Sequence, residues 1–159
     1  MTTKLKFSAP EVNQALDRLA RAIVKAHGST PDLIFVGVAD GGIGLVQRLA
    51  EKVGESLGQK ISLGIVDVSF HRDDIGSNPI PKAAVPTDLP PEVEGSSCIL
   101  VDDVIFSGRT IRAALNELFD QGRPECVELA VLVDRGHRRL PFSPNYVGMV
   151  LETALDHKV

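Results

Sequence analysis

The chain has no tryptophan, and aromatic residues make up only 4% of its 159 residues. A core built with so few rings must be filled mostly by Val, Ile, Leu and Ala. Cysteine is also scarce. Cys98 and Cys126 each open an apolar run, "CILV" and "CVELAVLV". Two cysteines so placed read as small core hydrophobes in a reducing compartment, not as a disulfide framework. No Cys/His cluster has zinc spacing. No apolar run approaches the ~18 residues that cross a bilayer. The start, "MTTKLKFSAPEV", lacks the apolar segment of a signal peptide. The expected address is therefore the cytosol, with no membrane partner. An excess of positive charge is missing too: the net charge is −4 and the pI ≈ 5.5. Overall charge gives no reason to expect non-specific nucleic-acid binding, although a local basic patch is compatible with it.

What is present is an ordinary globular composition, 43% hydrophobic and 24% charged, with mean hydropathy +0.08. The length suits one domain with its own core. No internal repeat or domain boundary is visible, so residues 1–159 read as a single domain. Ser8 can cap a first helix, with Pro10 in its first turn and Glu11 placed for a capping box. Val12, Leu16, Leu19, Ile23 and Val24 recur at helical spacing, and Gly28 ends the run. "DLIFVGVA" is a short all-apolar strand of the buried parallel type. A helix over "LVQRLAEKVGESLG" and a strand over "ISLGIVDVSF" follow. Four prolines between Pro79 and Pro90, with Pro91 next, mark a long loop with room for an edge hairpin. Then come a strand "CILVDDV", a helix "GRTIRAALNELFDQG" and a strand "CVELAVLVD". In the helix, Leu115, Leu118 and Phe119 are expected inward and Gly122 at the C′ position. A loop and a further short strand close the chain. Alternating strands and helices predict an α/β fold, a mostly parallel sheet with helices on both faces.

In such sheets ligands bind outside the carboxyl ends of the strands. Those ends here are "GVADGG", "SFHRDD", "VDDVIFSGRT" and "LVDRGHRR", all glycine-bearing or charged. Ser107, Gly108, Arg109 and Thr110 open a helix whose first N–H groups have no internal partner. Small residues and the helix dipole there favour a phosphate. Just upstream, Asp102 and Asp103 can accept from vicinal hydroxyls. Phosphate on one side and a diol on the other describe a ribose 5-phosphate. "GVADGGIG" offers a turn that can cradle a second anion, and Arg72 sits where it could clamp a polyphosphate. Together these fit a phosphoribosyl diphosphate donor with Mg²⁺, held mainly through substrate oxygens with Asp102 and Asp103 in reach. The alternative for each feature taken alone is an ordinary capped helix, a tight strand–helix turn and a surface arginine. Neither GxxxxGK[ST] nor GxGxxG is present.

"ILVDDVIFSGRT" resembles the phosphoribosyl-diphosphate motif of the type I phosphoribosyltransferases. More narrowly, "VSFHRDD", "LVDDVIFSGRTIRAALNELFDQGRP" and "LAVLVDRGHRRLP" resemble the PyrR family. Its members are pyrimidine-operon attenuators that are also uracil phosphoribosyltransferases. The resemblance runs from the first helix to about Gly148. It implies the type I fold with a flexible loop and a small hood. It also implies the conversion of uracil and 5-phosphoribosyl diphosphate (PRPP) to UMP and diphosphate. Asp102 and Asp103 would hold the ribose hydroxyls, and Arg72 and Asp73 would lie in a lid. Val104, Ile105, Phe106, Ser107, Gly108, Arg109 and Thr110 would wrap the 5-phosphate. Ala39, Asp40, Gly41 and Gly42 would form the diphosphate loop, where these enzymes often use a strained peptide bond. Val133, Asp134, Arg135 and Gly136 would form the hood over the base. His71 and His137 are expected to be binding or structural residues rather than a general base.

The resemblance further implies a UMP/UTP-responsive contact with operon leader RNA and a homo-oligomer, dimer or higher. RNA needs clustered cations. Arg18, Arg21 and Lys25 share one face of the first helix; Arg135, His137, Arg138 and Arg139 form a second basic cluster. Two departures from the family stand out. Its first loop usually carries basic residues where this chain has "VADGG", and members usually continue beyond the point where this chain ends. The sequence therefore reads either as truncated or as lacking terminal strands. The alternatives are a phosphoribosyltransferase acting on another base and an RNA-binding regulator with little catalysis.

Overall fold

A computed structural model describes residues 5–69, 85–157 and 159. Helix α1 (Ala9–His27) begins at the predicted cap: the Ser8 hydroxyl accepts from Glu11 N, and the Glu11 carboxylate accepts from Ser8 N at 2.7 Å. Strand β1 (Leu33–Val38) is buried along its whole length. Helix α2 (Gly42–Leu57), β2 (Ser62–Val66), β3 (Ser97–Ile105), α3 (Arg109–Gln121), β4 (Cys126–Asp134) and β5 (Tyr146–Val150) follow, with one 3-10 turn at Pro91–Val93.

All strand pairs are parallel, in the order β2-β1-β3-β4-β5. From β1 the chain moves outward to β2 through α2. From β3 it moves the opposite way through α3. Right-handed crossovers in opposite directions must place their helices on opposite faces. Accordingly α1 and α2 pack with Phe35, Ile99 and Val101, whereas Ile111, Ala114 and Leu118 of α3 pack with Ile34, Val36 and Leu100. The period-2 alternation of the strands serves both cores at once.

Four expectations are corrected. β2 is shorter than its apolar run, because Asp67 accepts from Ser69 N and Oγ in a buried polar turn that ends it. Phe119 is 49% exposed, and the inward stripe of α3 is Ile111, Ala114, Leu115 and Leu118. Cys126 is exposed, since it is the first residue of β4, at the sheet's rim. Cys98 is a core residue, and burial pushes its thiol up to about 12, helped by the nearby Cys126. Gly122 has an extended φ of −163°, so no left-handed cap calls for it. A Cβ there would lie 2.7 Å from Val93 Cγ1, so packing explains the glycine. Of the long loop, Asp88 forms an antiparallel bridge with Ile65, and Thr87 Oγ1 donates to the Glu117 carboxylate. The remainder, with Arg72, Asp73 and His71, lies outside the described residues.

At the amino-terminal end of the sheet, Glu128 of β4 joins α1 to β5. Its Oε2 accepts from Tyr146 Oη at 2.6 Å and lies 2.8 Å from His27 Nε2. The other ring nitrogen of His27 lies 3.0 Å from Thr30 Oγ1. Desolvation alone would raise the Glu128 carboxyl, but the hydrogen bonds from Tyr146 and His27 outweigh it and hold it below the usual carboxylate range. A lowered folded pKa means that the unfolded chain binds the proton first. The contribution is therefore present above the unfolded value of about 4.3 and is lost as pH falls through the folded one. Because Glu128 is partly exposed, Glu128→Gln is expected to cost about 1 kcal/mol at neutral pH, roughly 2–4 °C in Tm. Melting curves from pH 3 to pH 8 check this: the two proteins converge in acid, whereas a constant offset would show that charge is not the cause.

Candidate active site

The strand order reverses between β1 and β3, and there the loops after the two strands diverge to opposite faces. This is the crevice that such sheets offer to ligands. The loop after β1 contributes Ala39, Asp40 and Gly41, with a cis Ala39–Asp40 peptide bond, and α2 starts at Gly42. Gly41 caps α2 with helical angles and no side-chain hydrogen bond, so the first N–H groups of α2 have no side-chain acceptor of their own. Asp40 is exposed.

Gly41 and Gly42 allow a close approach within the protein. A Cβ on Gly41 would lie 2.3 Å from Asp103 Oδ2, and one on Gly42 would lie 2.5 Å from the Val101 carbonyl oxygen. The diphosphate loop expected from the sequence is thus pressed against the carboxylate expected to meet ribose. The two groups share one site.

Asp102 and Asp103 are not equivalent. They occupy successive positions of β3, so alternation sends them to opposite faces. Asp103 faces Gly41 and is partly exposed, and its Oδ1 accepts from Val104 N at 2.7 Å. Asp102 is 5% exposed, and its Oδ1 accepts from Asp103 N at 2.9 Å. Burial pushes the Asp102 carboxyl well up, and the Asp103 charge adds to the rise. One carboxylate therefore faces the crevice, and the other braces it from behind, through the Asp103 N–H and a side-chain hydrogen bond with Asp103.

The predicted phosphate segment divides in two. Val104 and Ile105 are the last two residues of β3. Ile105 is 2% exposed, and its carbonyl accepts from Arg135 N. Phe106, Ser107 and Gly108 form the turn, and Arg109 and Thr110 open α3. Gly108 has φ +94°, a conformation that L side chains rarely adopt. Ser107 Oγ accepts from Arg109 N at 3.3 Å.

The predicted base segment follows β4. Val133 is a core residue, 2% exposed and paired with Met149 and Val104. Asp134 Oδ1 accepts from Gly136 N at 2.9 Å, across a turn in which Gly136 has φ +72°. Arg135, expected in the hood over the base, is only 8% exposed, and its guanidinium is engaged within the protein. It donates to Thr153 Oγ1 and to the Ala154 carbonyl, and its guanidinium lies 4.4 Å from the centre of the Phe106 ring. His137 closes on the Thr153 carbonyl and meets Phe106 edge-on. A cavity of about 500 Å³ lies between Asp134–Arg138 and Val150–Thr153.

In the second basic cluster, Arg135 and Arg138 hydrogen-bond to neighbouring segments, His137 is exposed with Nε2 at the Thr153 carbonyl, and Arg139 is exposed. On α1, Arg18, Arg21 and Lys25 are exposed, although Arg18 Nε also donates to the Gly148 carbonyl. Thr153, Phe142 and Arg138 were missed as site-supporting residues. Their partners lie 4 to 32 positions away in the chain, beyond what a local pattern registers. Among the described residues no group of three or more His, Cys, Asp or Glu could hold a metal by itself, and no helix is long and apolar enough to cross a membrane.

Comparison with known proteins follows the same lines. The model of the phosphoribosyl transferase domain matches residues 7–159. A protein of Picosynechococcus named bifunctional protein PyrR is 42% identical over 153 residues, covering 96% of this chain and 86% of that one. Its namesake from Streptomyces coelicolor is 44% identical over 154 residues, covering 96% and 79%. Among solved structures, a hypoxanthine phosphoribosyltransferase of Trypanosoma cruzi superposes with TM-score 0.71 at 19% identity, covering 94% of this chain and 82% of that one. One from Staphylococcus aureus gives 0.69 at 16%, covering 93% and 77%. At those identities the likeness concerns the fold.

Proposed function

Because the chain belongs to the phosphoribosyltransferase family, and within it to the PyrR proteins, we propose that it is a cytoplasmic uracil phosphoribosyltransferase. It would act as one domain spanning residues 1–159 and convert uracil and PRPP to UMP and diphosphate. The observation that carries the reading is the contact between Gly41 of the first loop and Asp103 of β3, beside the turn that opens α3. An acceptor for hydroxyls, a cradle for diphosphate and a helix start for phosphate then converge on one ligand.

Displacement at the ribose anomeric carbon passes through an oxocarbenium-like state. Catalysis depends on positioning, charge neutralisation and water exclusion more than on a strong nucleophile. Asp103 accepts from the ribose hydroxyls, and buried Asp102 fixes the peptide that orients it. Ser107 and the N–H groups at the start of α3 bind the 5-phosphate, with Thr110 as a further donor. The loop of Ala39 to Gly42 meets the diphosphate, and Arg72 and Asp73 add groups from the segment after β2. Asp134 to Gly136 meet the base at the 500 Å³ cavity, largely through backbone groups. One partly exposed carboxylate beside a polyphosphate suits Mg²⁺, a hard ion that keeps most of its waters and substrate oxygens; Asp103 would hold it, and it would neutralise charge on the diphosphate.

Purified protein with Mg²⁺, PRPP and either uracil or hypoxanthine tests the reading. Product from uracil alone is expected. Product from hypoxanthine and none from uracil would sink the uracil assignment in favour of another base.

A second role, attenuation through UMP/UTP-responsive binding of pyrimidine-operon leader RNA by a dimer or higher assembly, is favoured by α1. Its exposed Arg21 and Lys25 line a groove of about 430 Å³ that also includes Lys52, although Asp17 pairs with Lys52 at 2.9 Å. Leader binding that strengthens with UMP and weakens with salt is the expected result. Its absence would leave an enzyme only.

A further inference from the structure

We propose that Arg138 is a positioning residue that locks the phosphate turn to the base loop and so fixes the separation at which the two substrates are presented. The proposal rests on the phosphoribosyl-transfer reading above. The Arg138 guanidinium spans two backbone carbonyls and one carboxylate. Nη1 donates to the Phe106 carbonyl, in the phosphate turn, at 2.8 Å. Nη2 donates to Asp134 Oδ2, at the end of β4, at 2.8 Å. Nε donates to the Phe142 carbonyl, at the far end of the base loop, also at 2.8 Å.

A planar fork with rigid donors holds three such acceptors in one mutual geometry. A lysine, a single charge on a flexible stem, cannot. The surroundings reinforce the lock. The Ser107 carbonyl accepts from both Arg139 N and Leu140 N, at 2.9 and 3.0 Å. A Cβ on Gly108 would lie 3.1 Å from the Phe142 ring, so the phosphate turn rests directly on the base loop. Asp134 is held on its other side by Gly136 N. The 5-phosphate fixes where the anomeric carbon lies, and the base loop fixes where the attacking nitrogen lies. The distance between them decides the rate, and a misplacement of about 1 Å can cost roughly 100-fold.

The test uses the full chain with Arg138→Gln and Arg138→Lys. Ribose 5-phosphate and uracil serve as a non-reacting pair, because no diphosphate is present to leave. In the wild type, saturating uracil is expected to tighten ribose 5-phosphate binding, a coupling that must be reciprocal. In Arg138→Gln that tightening is lost and kcat falls by roughly 10- to 100-fold, while the Kd of uracil alone changes by less than about twofold. Arg138→Lys recovers most of the melting temperature but not kcat, which a merely structural arginine would not do. Wild-type coupling in Arg138→Gln, no coupling in the wild type, or full kcat in Arg138→Lys would overturn the proposal. If the wild type makes no UMP at all, the enzymatic reading falls separately. The lock is then judged on the ligand-free protein: faster amide exchange across Phe106–Thr110 in Arg138→Gln supports it, and unchanged exchange overturns it.

Discussion

Asp103→Asn is expected to lower kcat/KM for UMP formation by roughly 100- to 1000-fold, the scale seen when one preorganised polar group is removed from a reacting centre. The fold should survive, because Asp103 is partly exposed and the amide oxygen that replaces Oδ1 still accepts from Val104 N. The neighbouring substitution should behave differently. Asp102 is buried behind the site, and burial, with the Asp103 charge, raises its carboxyl well above the ordinary range. An acid with a raised folded pKa binds its proton more tightly in the native state. Stability is therefore fullest below the unfolded value of about 3.9 and declines as pH rises toward the folded one. Asp102→Asn removes that decline. Its melting temperature should exceed the wild type's at pH 8, by about 2–4 °C for each kcal/mol recovered, and lose the advantage near pH 4. Steady-state kinetics and melting curves on both variants check the pair. Equal losses of activity with no gain in stability for Asp102→Asn would show that the two carboxylates act alike.

Gly41→Ala carries the second large effect. Gly41 has φ −59°, so alanine's backbone preferences are met and conformational strain is absent. Space is the difficulty, since the new methyl would lie 2.3 Å from Asp103 Oδ2 and 2.5 Å from its Cγ. The Asp103 side chain must move, and a shift on the order of 1 Å at a reacting centre costs about 100-fold in rate. The melting temperature should change little, because a partly exposed side chain can swing away. Gly42→Ala is the instructive contrast. Its methyl would meet the Val101 carbonyl, a backbone atom of a central strand that cannot swing, so about 1–3 kcal/mol of stability should be lost. Urea denaturation beside kinetics separates the two. Near wild-type activity in Gly41→Ala would mean that Asp103 does not work where the crevice places it.

Much of the fold was legible because its signals are local. The Ser8–Glu11 capping box, the apolar β1 and β4, and the glycine turns before α2 and α3 lie within a few residues of what they govern. Alternating strands and helices implied a parallel sheet, and carboxyl strand ends implied where a ligand sits. The turn before α3 and the acidic pair were located at that end of the sheet in this way. The different burial of the two carboxylates was not, although the strand period contained it: adjacent carboxylates on one strand face opposite ways.

By itself, then, the sequence determined which segments become strands and helices and which family the chain belongs to. Capping, periodicity and the donors at a helix start act over a handful of residues, so they can be read in order along the chain. The tertiary structure alone decided which charged side chains stay available. Arg135 and Arg138 look like surface cations, yet they are used by Thr153, Ala154, Phe106, Phe142 and Asp134. Phe119 and Cys126 look like core residues, yet they are exposed. A long side chain finds its partners through space, and burial depends on what neighbouring elements cover. Both are properties of the packed molecule rather than of any segment.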